Sequence, residues 1–109
     1  MRQNNSEVIV LVTTKTANEA KKLGKTVVSE QLAACVNIIG TCKSLYRWNG
    51  KVEESAESLL IIKTTRRRYQ DLQKRIKSLH SYTVPEVIAI SIVQGLPDYL
   101  AWIRKSVHK

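Results

Sequence analysis

The chain has no phenylalanine, and its 109 residues include only two prolines, four glycines, two cysteines and one methionine. Two cysteines cannot build a disulfide scaffold. So little Gly and Pro excludes collagen-like and low-complexity chains. No apolar run approaches the roughly 18–20 residues of a membrane span. The polar start leads into only five consecutive apolar residues, Val8 to Val12; a secretory h-region wants about 7–15. These absences lead to the expectation of a soluble cytoplasmic protein with no membrane partner. Residues 1–6 are expected to form a frayed tail. Acid is scarce as well: nine Asp and Glu stand against 18 Lys and Arg, a net charge of +9.

What is present is a globular composition, 43% apolar and 25% charged, at a length suited to one domain over residues 1–109. The charge is uneven. From Lys63 to Lys77 seven basic residues face Asp71 alone. Such a segment attracts anions or serves as a solvated helix face. If Cys35 and Cys42 share one extended strand, they lie about 23 Å apart. A disulfide needs Cα atoms within about 7 Å, so both thiols are expected free.

Hydrophobic patterning gives the elements. Residues 7–14 read as a buried strand rich in β-branched residues. Thr16-Ala17-Asn18-Glu19 is a capping-box pattern, and apolar residues at helical spacing carry a helix to Gln31 or Leu32. Gly24 within it allows close packing. A second strand runs over 33–48, and Asn49-Gly50 predicts a type I′ hairpin. That turn pairs Trp48 with Lys51, Arg47 with Val52 and Tyr46 with Glu53. The return strand reaches about Thr64. Thr64 or Thr65 caps a second helix ending near His80, 86–93 forms a last strand, and 98–107 a short final helix. The order β-α-β-β-α-β plus a C-terminal helix is the α+β, ferredoxin-like split βαβ arrangement.

Two consequences follow from pattern alone. Two helices cover one face of a four-stranded sheet, yet 8–12, 59–62 and 87–93 are apolar on both parities apart from Ser91. The second face therefore needs a cover, most simply another copy of the chain. The return strand of the long hairpin would also span roughly 46 Å, against a domain diameter of about 33 Å. Its tip either overhangs as an arm for a neighbour or is curled home by a bulge near 40–42.

The residues Ala33-Ala34-Cys35-Val36-Asn37, Ser44-Leu45-Tyr46-Arg47-Trp48-Asn49-Gly50-Lys51-Val52-Glu53, Ile62-Lys63-Thr64-Thr65, His80-Ser81-Tyr82-Thr83-Val84-Pro85-Glu86-Val87-Ile88 and Tyr99-Leu100-Ala101-Trp102-Ile103 resemble the motifs of the CutA family of divalent-cation tolerance proteins. The resemblance implies a PII-like homotrimer linked to copper and heavy-metal tolerance, and not an enzyme. The family's usual His-Pro-Tyr is His80-Ser81-Tyr82 here. Val12 stands where some members carry a strand cysteine implicated in copper binding.

The candidate residues are weighed beside that resemblance. His80 is the best metal candidate, with the alternative of a histidine stabilised at a helix C-terminus. Cys35 is the second, with the alternative of a small apolar filler. The ligand inventory is too poor for a closed soft-metal site, so no firm cofactor is expected beyond a weakly bound divalent ion such as Cu(II). His108 is expected to be inert. Tyr46, Trp48, Lys51, Glu57, Lys63, Arg66, Tyr82 and Glu86 are candidates for an inter-subunit cleft that takes a small anionic ligand. Glu57 and Glu86, on mostly apolar strands, call for hydroxyl or basic partners among Lys63, Tyr82 and Tyr46. Arg66, Arg67 and Arg68 at the start of helix two, with Lys63 beside them, suggest an anion spot. The other reading is a basic module for nucleic acid or another anionic partner. The middle strands lack the stacking aromatics of RNA-binding relatives of this topology, which disfavours nucleic acid. No phosphate loop or nucleophile motif supports a hydrolase.

Overall fold

The computed structural model describes residues 6–107. The elements are β1 (Glu7–Thr14), α1 (Ala17–Ser29), β2 (Cys35–Trp48), β3 (Lys51–Thr65), α2 (Arg66–Leu79), β4 (Val87–Ser91) and α3 (Pro97–Ser106). The four strands form one antiparallel sheet in the order β2-β3-β1-β4, as the ferredoxin-like reading requires.

Alternation decides the core. Val8, Val10 and Val12 of β1 pair with Thr64, Ile62 and Leu60 of β3, and all six are buried under α1 and α2. Ala20, Leu23 and Val27 of α1 and Leu72 and Ile76 of α2 close the layer from above. A Cβ on Gly24 would meet Val36 Cγ1 at 3.3 Å, so glycine lets α1 lie close to β2.

Helix α1 ends at Ser29, short of the expected Gln31 or Leu32. The Leu32 N–H bonds to the Val27 carbonyl and the Gln31 N–H to that of Val28, a Schellman closure. Gln31 takes the left-handed position at φ 60°. That place usually belongs to glycine, so the sequence carries no stop signal there. Strand β4 is shorter than the expected 86–93, because its pairing with β1 runs only from Val12 opposite Val87 to Val8 opposite Ser91. The capping box is half formed. The Thr16 hydroxyl accepts from the Glu19 N–H at 3.1 Å, but the Glu19 side chain turns elsewhere.

The hairpin pairs Trp48 with Lys51, Arg47 with Val52 and Tyr46 with Glu53. Asn49 and Gly50 take φ of 52° and 77°, the two positive values a type I′ turn needs. The bulge foreseen near residues 40–42 is present. A bulge shifts the register between Ile39 and Cys42, and the Gly40 carbonyl there accepts from the buried Ser58 hydroxyl at 2.8 Å. The hairpin still elongates the molecule to 46 × 31 × 22 Å.

Helix α3 covers one end of the other sheet face. Ile103 and Val107 pack with Ala34, and Arg104 Nη1 donates to the buried Glu7 carboxylate at 2.6 Å. The Ser6 carbonyl accepts from the Arg66 N–H at 2.7 Å. Residues 1–5 and His108 lie outside the described residues.

Candidate functional site

Beyond α3 the second sheet face is open. Strand register places Ile39, Leu59, Ile61, Leu11, Ile9, Ile88 and Ile90 side by side on it. Ile39, Ile88 and Ile90 remain 46%, 49% and 51% exposed in the single chain.

At one end of this face the structure gathers three of the expected residues. The Tyr82 hydroxyl donates to Glu57 Oε2 at 2.7 Å, and Tyr46 lies close enough to act on Tyr82 electrostatically. Ser55 Oγ donates to the Tyr46 hydroxyl at 3.4 Å. Burial and the Glu57 carboxylate push the Tyr82 hydroxyl far above its ordinary value of 10.0, which keeps it a donor. Glu57 thus has the hydroxyl partner it was expected to need.

His80 caps the C-terminus of α2 with its side chain fully buried. Its Nε2–H donates to the Thr13 carbonyl at 2.7 Å, since a carbonyl can only accept. Its Nδ1 accepts the Tyr82 N–H at 3.0 Å. In this arrangement the lone pair a metal would need is occupied, and the other nitrogen carries a held proton. The ring also stacks at a tilt against Tyr82, 4.8 Å between centroids. Ser81, in the place of the family's proline, donates to Glu19 from its N–H at 2.9 Å and its hydroxyl at 3.0 Å. Glu19 and Ser81 were missed as partners, because 62 residues separate them and each carries its own local explanation.

The other candidates do not join this corner. Cys35 is half-buried, with Sγ 3.8 Å from Asn37 Oδ1, and Lys63, opposite it in register, donates to the same oxygen. Tyr99 sits beside Cys35; burial, then the thiol itself, raises the tyrosine's ionisation point. Both thiols are free, as expected. Arg66 Nη2 donates to Ser91 Oγ at 2.7 Å. Asn37 and Ser91 lie on the two edge strands, so Lys63 and Arg66 point to opposite edges and the expected anion spot at the start of α2 is not assembled. Arg68 is buried, unlike Arg66 and Arg67. Trp48 and Lys51 are exposed at the hairpin tip. Glu86 lies outside β4 and is exposed, which corrects its placement on an apolar strand.

Among the described residues no group of three or more His, Cys, Asp or Glu could hold a metal ion.

Comparison with known proteins decides the relationship. Residues 8–106 match the family described as CutA1 divalent ion tolerance protein. The chain belongs to that family. The divalent-cation tolerance protein CutA of Thermus thermophilus is 45% identical over 100 residues, covering 92% of this chain and 97% of that one. Its solved structure superposes with a TM-score of 0.90. A structure described as the periplasmic divalent cation tolerance protein CutA of Archaeoglobus fulgidus is 35% identical, with a TM-score of 0.91 over 94% of this chain and 99% of that one. The chloroplastic CutA of Arabidopsis thaliana is 43% identical over 101 residues, covering 93% of this chain but 56% of the plant protein. The α+β architecture is that of the CutA1 structures.

Proposed function

We propose that this CutA1 chain serves divalent-cation tolerance as a non-catalytic homotrimer, whose inter-subunit clefts take a small ligand in the manner of PII-like sensors. The observation that carries the reading is the open sheet face. Leu11, Ile61, Ile88 and Ile90 form a continuous apolar surface beside an overhanging hairpin, and burying it against further copies removes that surface from water. The Tyr46–Glu57–Tyr82 corner, at the root of the hairpin, then borders the cleft. A response to divalent cations works here without a metal centre held by one chain. Two free thiols support a reducing, cytoplasmic setting.

Light scattering on the eluting protein tests this. The expected mass is about 37 kDa, three times 12.4 kDa. A species of 12.4 kDa at micromolar concentration would sink the proposal.

A further inference from the structure

Positive charge is concentrated on the helical layer, away from the apolar sheet face. Helix α1 carries Lys21, Lys22 and Lys25 against Glu19; α2 carries six cations against Asp71. Together they hold +7 of the chain's +9. Where the C-terminal end of α1 meets the middle of α2, this layer opens into a groove of about 450 Å³. Its lining includes Arg68, Lys74 and Arg75 against Glu30 and Asp71, a net charge of +1.

Both carboxylates are committed. Glu30 receives two hydrogen bonds from Arg75, from Nε and Nη2, each 2.9 Å long. Asp71 accepts from Arg68 Nη1 at 3.1 Å. Arg68 is 9% exposed, and its Nε–H has no hydrogen-bond partner among the described residues. A buried guanidinium N–H without an acceptor is an uncommon and unfavourable arrangement. Lys74, on the same groove, is exposed and forms no ion pair among the described residues.

We propose that this groove is a binding site for a small organic phosphate. The Nε edge of Arg68 is the anchor and Lys74 the second cation. A guanidinium binds an oxyanion through two parallel N–H donors, and Asp71, taking Nη1, leaves the Nε edge for that use. A tetrahedral dianion has enough terminal oxygens to accept from Arg68 and Lys74 together, which a single carboxylate does less well. Leu32 supplies an apolar wall for the organic part of the ligand. Nε itself is buried, so the ligand reaches it only when the Arg68 side chain turns outward into the groove.

The test is an NMR titration of the intact protein at constant ionic strength, following the Arg68 Nε–H signal. The probes are inorganic phosphate and phenyl phosphate. The expected result is a saturable shift of that signal, tighter for phenyl phosphate. Lys74→Glu should weaken binding about tenfold, the scale of one charge-assisted hydrogen bond. Arg67→Gln, on the same helix but outside the groove lining, should change it by less than about twofold. Arg68→Gln should abolish saturation; should that variant misfold, the Lys74 and Arg67 pair still decides. An Arg68 signal that does not move overturns the proposal. Equal losses in Lys74→Glu and Arg67→Gln also overturn it, leaving a diffuse field that holds any polyanion, duplex DNA included.

Discussion

Ser81 grips Glu19 twice, through its backbone N–H at 2.9 Å and its hydroxyl at 3.0 Å. A proline at that position could offer neither bond. Burial pushes the Glu19 carboxyl up, but the two Ser81 bonds, helped by His80 and the Lys15 N–H, outweigh it, so the group lies below its ordinary value of 4.5. A carboxyl depressed in the folded state stabilises the fold fully above its unfolded value, and that contribution fades as pH falls through the folded one. Ser81→Ala should cost about 1–2 kcal/mol at neutral pH. Denaturant curves of variant and wild type should converge as pH drops below 4.5. A gap unchanged at acid pH would show that the hydroxyl acts on something other than the Glu19 charge.

His80→Ala orphans the Thr13 carbonyl and the Tyr82 N–H and leaves a void. The expected loss is about 2–4 kcal/mol in chemical denaturation. The gentler His80→Gln should leave calorimetric Cu(II) titration as in the wild type. A selective loss of Cu(II) heat in that variant would restore the histidine to the metal-ligand role.

Gly50 has open space around its Cα and a φ of 77°. Any penalty for Gly50→Val is therefore a backbone penalty, about 1–3 kcal/mol. Thermal melts should record it without a change in core packing. An unchanged melting temperature would contradict the type I′ assignment.

Arg104 is the charge facing the buried Glu7 carboxylate, with Ser6 donating to the same oxygen. Burial raises the Glu7 carboxyl, while the Ser6 and Arg104 hydrogen bonds bring it below 4.5 overall. Arg104→Ala should destabilise by about 1–3 kcal/mol, since Arg104 is itself half exposed. Hydrogen exchange should show the loss first in α3, and the penalty should shrink as pH falls below 4.5 and Glu7 protonates. Uniform loss of protection across the sheet would mean that α3 is not separately docked.

The sheet, its strand order and the hairpin register were legible because period-two and period-3.6 patterns and the Asn49-Gly50 turn are local signals. Strand parity likewise exposed the unpartnered apolar face. The end of α1 was not legible, because Gln31 does a glycine's work. The site was half legible. Glu57 asked for a hydroxyl and Tyr82 supplies it, but the Ser81–Glu19 and Arg104–Glu7 pairs join residues 62 and 97 positions apart. His80 resembled a ligand as long as its surroundings were unknown; its two occupied nitrogens are a tertiary fact that spacing does not encode.

The bulge between Ile39 and Cys42 has a consequence for how the hairpin tolerates change. Before it, odd-numbered residues of β2 share a face with Leu59 and Ile61; after it, even-numbered ones share that face with Glu57. The extra residue acts as a phase shifter. It puts Tyr46 and Trp48, rather than Leu45 and Arg47, on the side of the Tyr82 corner. Point substitutions in the arm leave that phase alone. A single deletion at Gly40 or Thr41 would remove the extra residue and let regular alternation carry Tyr46 and Trp48 to the same face, so the bulge lets the arm lose one residue without turning over.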